Sequence, residues 1–283
     1  MRAASGFCCA IGVPTERAAP WASGAFFALA IFFCLLALES STAAAMIGIN
    51  FVGKGTVSGT VYTLPMQGYQ SAGVPPYQQS NWNNAEGSSN TTGLALHDAD
   101  GLATGATVIW TYAGKSYTSV SDATGDGCLM RGYIYRFSSF APPAITVAGL
   151  GPSFTAGGYD VLVYFDGQNA TGSASDWVTE YTFTANGKPS ISIFGKDAAG
   201  ANFDGTFTQA LGATAADATA GNYVRFREST ASSFTLVGTP FGGDGPINAI
   251  QIISAPEPTS LALTVLGTVA ALAARPRRSR LRR

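Results

Sequence analysis

Histidine occurs once in these 283 residues, at His97. That scarcity excludes histidine-rich metal sites and leaves any Ser-His-Asp triad dependent on a single residue. His97 sits in the turn-forming stretch Leu96-His97-Asp98-Ala99-Asp100-Gly101, and the chain has no Gly-x-Ser-x-Gly nucleophile elbow. Cysteine is nearly as scarce. Cys8, Cys9 and Cys34 fall in the first 45 residues, so Cys128 stands alone in the rest of the chain and cannot close an internal disulfide there. A body of about 210 residues is large enough to be held by burial and hydrogen bonding instead. Cys128, in Gly127-Cys128-Leu129-Met130, reads as a small buried apolar residue. Charge is sparse too, at 12 % of residues, and positive charge especially so in the middle of the chain. Residues 46–254 carry eight Lys and Arg against fourteen Asp and Glu, a net of −6, where the whole chain reads −1. An acidic body without clustered Lys and Arg has no footprint for phosphates, so nucleic acid is not an expected partner.

Long apolar runs occur only at the two ends. Residues 24–38 (GAFFALAIFFCLLAL) follow Arg2 and Arg17 and precede a short polar stretch and then Ala43-Ala44-Ala45. A basic start, a ~15-residue apolar core and small residues at Ala43 and Ala45 are the parts of a Sec-type signal peptide. Residues 1–45 are therefore expected to be removed by signal peptidase after Ala45. Cys34 lies inside the apolar run with no small-residue lipobox before it, which argues against a lipoprotein.

The other end reads Ala255-Pro256-Glu257-Pro258, then TSLALTVLGTVAALAA over 259–274 without a charged residue, then a tail with six arginines in nine positions. Prolines punctuate the end of a folded region. A helix over 259–274 would be short for a full membrane span, and the arginines would hold its end on the cytoplasmic side. Pro256, Glu257 and Pro258, the apolar segment and the basic tail together resemble the PEP-CTERM sorting signal of exported bacterial proteins. The resemblance implies recognition by a membrane-embedded exosortase, a membrane-held intermediate at the inner membrane, cleavage near the tripeptide, and delivery to the cell surface or extracellular matrix. Such segments also go under the label of an ice-binding protein C-terminal region; nothing in these residues points to ice binding.

Between the ends, short β-type runs alternate with turns rich in Gly, Asn, Asp, Ser and Pro. Strands are expected at 46–52, 57–63, 106–112, 129–136, 144–149, 158–165, 178–184, 190–194, 202–208, 222–228, 233–237 and 247–253. In Val178-Thr179-Glu180-Tyr181-Thr182-Phe183 successive side chains swap faces, as a half-buried strand requires. No stretch longer than ten residues shows 3.6-residue apolar periodicity, and 210–220 reads as a loop. The expected fold is all-β, an antiparallel β-sandwich of jelly-roll type over 46–254, flanked by an apolar helix at each end. Two long loops are expected, 64–100 and 167–175. Ile49-Asn50-Phe51-Val52, Asn81-Trp82-Asn83-Asn84, Gly125-Asp126, Tyr159-Asp160-Val161 with Tyr164-Phe165-Asp166-Gly167, and Ile247-Asn248-Ala249-Ile250-Gln251-Ile252 resemble a module of large exported proteins of Planctomycetes and related bacteria. That resemblance implies export and a β fold and no defined activity.

Three constellations remain for chemistry. Asp122, Thr124 and Asp126, at alternating positions before Gly127, have the start of a calcium loop, although Tyr133 stands where its twelfth-position acid belongs. No other cofactor is called for, and ordinary turn formation accounts for the same residues. Asp160, Asp166, Asp176, Glu180 and Glu228 could supply the two carboxylates of a glycoside hydrolase in an acidic cleft, yet no local pattern pairs them. Aromatics in polar loops offer stacking platforms for sugar rings, and Trp82, Tyr77 and Trp177 are the expected contacts for exopolysaccharide. Trp110 reads as a core residue. The expected function is a non-catalytic exported protein of the cell surface or matrix; a polysaccharide-acting hydrolase is the alternative.

Overall fold

The computed structural model describes residues 44–111, 113–136, 141–169 and 175–255. Ala43, Pro256, Glu257, Pro258, the segment 259–274 and the arginine tail lie outside the described residues. The first eight strands are β1 (Met46–Phe51), β2 (Thr56–Val57), β3 (Thr60–Val61), β4 (Asn83–Ala85), β5 (Asn90–His97), β6 (Ala103–Trp110), β7 (Ala113–Tyr117) and β8 (Gly132–Arg136). They are followed by β9 (Ala144–Ala148), β10 (Tyr159–Tyr164), β11 (Trp177–Ala185), β12 (Ile191–Asp197), β13 (Thr219–Ala220), β14 (Tyr223–Ser229), β15 (Ser233–Pro240) and β16 (Ala249–Ser254). Two short helices interrupt them, α1 (Gly125–Arg131) and α2 (Pro152–Thr155). Among the described residues no helix is long and apolar enough to cross a membrane.

The fold is an all-β sandwich. One sheet has the order β14-β10-β16-β1-β4 and the other β13-β12-β11-β15-β9-β6-β5. Pairing in both is antiparallel except at β1–β4 and β12–β13. From β9 onward the chain keeps crossing between the sheets, so neighbours within a sheet come from distant parts of the sequence. Side chains of both sheets meet in one core: Ile49, Val163, Phe226 and Ile250 from the five-stranded sheet, Val108, Trp110, Tyr181 and Phe234 from the other. Face-to-face ring pairs tie the layers together, Phe165 on Tyr181 at 5.1 Å and Phe183 on Phe226 at 5.2 Å.

The two sheets differ in how they meet water. In the seven-stranded sheet β9, β11 and β15 alternate buried and half-buried residues, the mark of one wet face. In the five-stranded sheet β16 is buried at all six positions and β1 at five of six, so alternation is lost. A second core explains this. Met66, Ala72, Val74 and Trp82 from the 64–82 segment, with Cys128, Leu129 and Met130 from α1, close over Leu162, Tyr164, Ala249 and Ile253 on the outer face of that sheet. Cys128 is thus buried, as its apolar neighbours suggested.

The 64–100 stretch is therefore not one long loop. Its first part is this cover, and its second part forms β4 and β5. Trp82, expected as an exposed sugar platform, is 5 % exposed, and its Nε1 donates to the Gln79 carbonyl. The ring lies so close to Gly48 that a Cβ there would come within 2.5 Å of it, which is why β1 carries a glycine at that point. Residues 129–131 are helical rather than extended, because Thr124 caps α1 by accepting from Gly127 N at 3.0 Å. Residues 202–208 form no strand. Three of their backbone N–H groups go to side chains instead, Phe203 to Asp166, Thr206 to Asp204 and Thr208 to Asn222, which competes with a ladder.

Both joints of the folded body lie at one place. Ala45 N donates to Ser254 Oγ at 2.8 Å, and Ser254 N donates to the Ala45 carbonyl at 2.9 Å. Cleavage after Ala45 would remove both bonds. A chain beginning at Ala44 should be more stable to urea than one beginning at Met46 by about 1–3 kcal/mol, from two hydrogen bonds of modest net worth each; equal midpoints would show that Ala45 is dispensable. Replacing the buried indole in Trp82→Ala should cost about 3–5 kcal/mol in the same measurement, whereas a loss below about 1 kcal/mol, the size of a surface substitution, would show that the cover does not depend on it.

Candidate functional site

Where β10 and β12 end, a cavity of about 270 Å³ opens beside residues 197–208, with acids in its walls. Its walls include Asp166, just past β10, Asp197, the last residue of β12, and Asn202 and Phe203 from the following segment. Strand geometry aims Asp197 inward. On β12, Ile193, Gly195 and Asp197 share a face by the period of two, and Gly195 packs against the rings of Phe165 and Tyr181. Asp166 is held by its own backbone: its N–H donates to Asn248 Oδ1 at 2.6 Å. Asn248 in turn donates through Nδ2 to the carbonyls of Met130 and Gly132, so one buried amide joins β10, β16 and the end of α1.

The two carboxylates are neighbours. Gly167 N donates to Asp197 Oδ2 at 2.8 Å, while Asp166 Oδ1 accepts from Phe203 N at 3.2 Å. Asp166 is 3 % exposed and Asp197 5 %. Burial pushes the Asp166 carboxyl up to about 8, and the Asp197 charge adds to the effect. Burial also pushes Asp197 up to about 7, with Asp176 raising it further. Among the described residues, the charges that act on this pair are thus negative. The lysine adjacent in sequence, Lys196, points to the other side of β12 and pairs with Asp176 at 3.2 Å. A buried carboxylate pair without a counter-charge is costly in its ionised form.

The surrounding side chains present oxygen. Asn169 is fully buried, and its Nδ2 donates to the carbonyls of Asp197 and Ala198 at 3.1 Å each. Asn202 Nδ2 donates to Ser119 Oγ at 2.7 Å. With the amide nitrogens so occupied, the oxygens face the other way. Asp166 Oδ2, Gln168 Oε1, Asn169 Oδ1 and Asn202 Oδ1 are buried without a hydrogen-bond partner. Such a group of carboxylates and amide oxygens can carry a shared proton, hold a cation, or act as acid and base near neutral pH.

The residues expected from sequence fall elsewhere, except for Asp166 in the cavity wall and Trp177 close by. Trp177 pairs with Asp197 across β11 and β12, and its half-buried ring lies between Gly167 and Gly243, which has a φ of +75°. A Cβ at Gly167 would lie 2.5 Å from that ring. Tyr77 and Trp82 belong to the cover on the outer face of the five-stranded sheet. Tyr77 takes the Arg225 guanidinium over its ring at 5.2 Å, and its carbonyl accepts from Gln251 Nε2 at 2.6 Å. Asp122, Thr124 and Asp126 are engaged around α1: Thr124 as the cap, Asp126 accepting from Gly73 N at 2.8 Å, Asp122 beside Arg131 at 3.9 Å. Among the described residues no three of His, Cys, Asp and Glu gather as a metal group. Of the carboxylates considered for hydrolysis, Asp160 is bound by Arg225, with Nε 2.8 Å from Oδ2, and only Asp166 reaches the cavity. Sequence reasoning missed Asp197, Asn169 and Asn202. The available signal for Asp197 was an acid in phase with the inward residues of its strand.

No protein-family model, curated protein or solved structure matches this chain.

The raised carboxyls set a pH dependence. Between about pH 4 and 8 the folded protein holds protons on this pair that the unfolded chain has released, so stability falls as pH rises through that window. Denaturant midpoints in chelator-containing buffer should drop from pH 4.5 to pH 8, and Asp166→Asn or Asp197→Asn should flatten the drop. A midpoint that climbs across this range in wild type, with the variants following it, would contradict the uncompensated pair.

Proposed function

We propose that this chain is a non-catalytic exported protein of the cell surface or extracellular matrix, delivered by an exosortase-type system after signal peptidase removes the leader. The observation that carries this reading is the antiparallel pairing of β1 with β16, which sets Met46 opposite Ile253 and survives cleavage after Ala45. It brings the two ends of the sandwich, each continuing into an apolar sequence with membrane-targeting character, to a single edge of the fold. Held there by residues 259–274, the sandwich would present its opposite end outward. That far end is where β10 finishes and β16 begins, since Tyr159 pairs with Ser254 and Tyr164 with Ala249. The cavity and Trp177 are at that end. Phe241, which is exposed and donates its N–H to the Val178 carbonyl, stands on the strand end next to Trp177. These two rings, and not Trp82 or Tyr77, are the platform through which an exopolysaccharide would be contacted.

A hydrolase is the second reading, and the observation in its favour is the pair of carboxyls poised near neutral pH. Against it, both carboxylates are more than nine-tenths buried, and the cavity is at the small end of organic-ligand pockets. A scissile sugar would need to displace the segment that binds Asp166.

Replacement of Pro256, Glu257 and Pro258 by alanine in a host with an exosortase should leave the protein in the inner-membrane fraction at a higher mass than the processed wild-type product. Equal processing and equal surface delivery of the variant would overturn the sorting assignment. Turnover of a polysaccharide by the purified protein, lost in Asp166→Asn, would overturn the non-catalytic one.

A further inference from the structure

We infer that Asp166, Asp197 and Asn202, with Asn169 beside them, form a site for a calcium ion at the open end of the sandwich. Charge points there first. Two carboxylates lie buried side by side, and among the described residues no basic group stands against either of them. Water entering the cavity can satisfy an oxygen, but it cannot neutralise two charges. A divalent cation does both.

The unpartnered atoms point the same way. Asp166 and Asn169 are each more than nine-tenths buried, and each leaves one side-chain oxygen without a hydrogen-bond donor. Asn202, on the cavity wall, does the same. In Asn169 the nitrogen donates to two carbonyls, so that amide's orientation is set and its oxygen remains an acceptor, while the hydroxyl that Asn202 meets can donate or accept and leaves Asn202 free to turn its oxygen to the cavity. On the cavity wall itself, the unpartnered oxygens of Asp166 and Asn202 fit a ligand that supplies only positive charge.

Donor chemistry selects the ion. The donors are carboxylate and amide oxygens, with no imidazole or thiolate among them, which suits hard cations rather than zinc or copper. Calcium accepts six to eight oxygens in irregular arrangements that include amide and backbone carbonyls, and water completes the set. Magnesium demands a tight octahedron and favours carboxylates with its own water. Two acids and an amide from separate stretches of chain, with room for water, suit the larger ion. The site differs from the Asp122, Thr124 and Asp126 loop, whose side chains are already engaged in capping α1 and bracing its neighbours. It also stands on its own geometry, whatever the fate of the sorting assignment.

The test uses the whole chain, stripped with chelator and then given Ca²⁺ or Mg²⁺ at about 5 mM, above the 10⁻⁴–10⁻³ M dissociation constants common in extracellular modules. Calcium should raise the melting temperature by several degrees and titrate calorimetrically to one site, with Mg²⁺ giving a smaller shift. Asp166→Asn and Asp197→Asn should melt no lower than wild type in chelator, since each removes a buried charge, yet lose the calcium shift. Asn202→Asp should tighten calcium binding severalfold while melting lower in chelator, and Asn202→Ala should weaken it. Asp122→Asn should keep the full shift. The inference is overturned if wild type melts at the same temperature with and without calcium, which would leave the pair to a shared proton. It is equally overturned if the shift survives in both Asp166→Asn and Asp197→Asn, or vanishes only in Asp122→Asn.

Discussion

The five-stranded sheet is buried on both faces, and most of the remaining architecture follows from that constraint. A sheet with one face on a core can leave the other to water, as the seven-stranded sheet does. The central strands β1, β10 and β16 have no such freedom, because Ile47, Ile49 and Ile252 point into the sandwich while Leu162, Tyr164 and Ile253 point out of it. The outward set needs a second cover. The 64–82 segment and α1 supply it, and their own sequences are too polar and glycine-rich to form a layer without the sheet beneath them.

A cover of irregular chain brings backbone groups that no ladder satisfies. Buried polar side chains on the sheet meet that need. Gln251, in the middle of β16, donates to the Tyr77 carbonyl and to Gln79 Oε1 and accepts from the Tyr164 hydroxyl, which itself accepts from Val74 N. Asn83 and Asn84 do similar service for Gly48, His97 and Met66. Each of these side chains would be a penalty in an ordinary apolar core. Here they hold the cover in one position, which apolar contact alone specifies weakly.

The same geometry creates the cavity. At the end where β10 and β12 stop, neither the sandwich core nor the outer cover extends far enough to fill the gap, and residues 198–208 cross it as an irregular wall. Asn248 links the gap to both cores by bonding Asp166 on one side and the end of α1 on the other. The acids at this end are therefore fixed by the most deeply buried part of the structure, and a bound cation there would brace both sheets and the wall at once.

Much of this was legible from residue order. Alternation in 178–184 and the spacing of turns marked an all-β sandwich, the single Cys128 implied a body held without disulfides, and Trp110 was recognisable as core. The polar edge strand β5 was not legible, because an exposed edge needs no apolar alternation. Nor was α1, whose glycines and cysteine form a helix only under the Thr124 cap and the weight of the outer cover. Exposure of Trp82 and Tyr77 was misjudged for a related reason: a loop rich in Gly, Pro and Asn reads as solvated unless the sheet it covers is known to have a second apolar face. Composition and period, being local properties, were enough to determine the fold class and the acidic character of the body. The pairing of Asp166 with Asp197, thirty-one positions apart, depends on two strands in different sheets ending at the same place, and only tertiary structure could decide that.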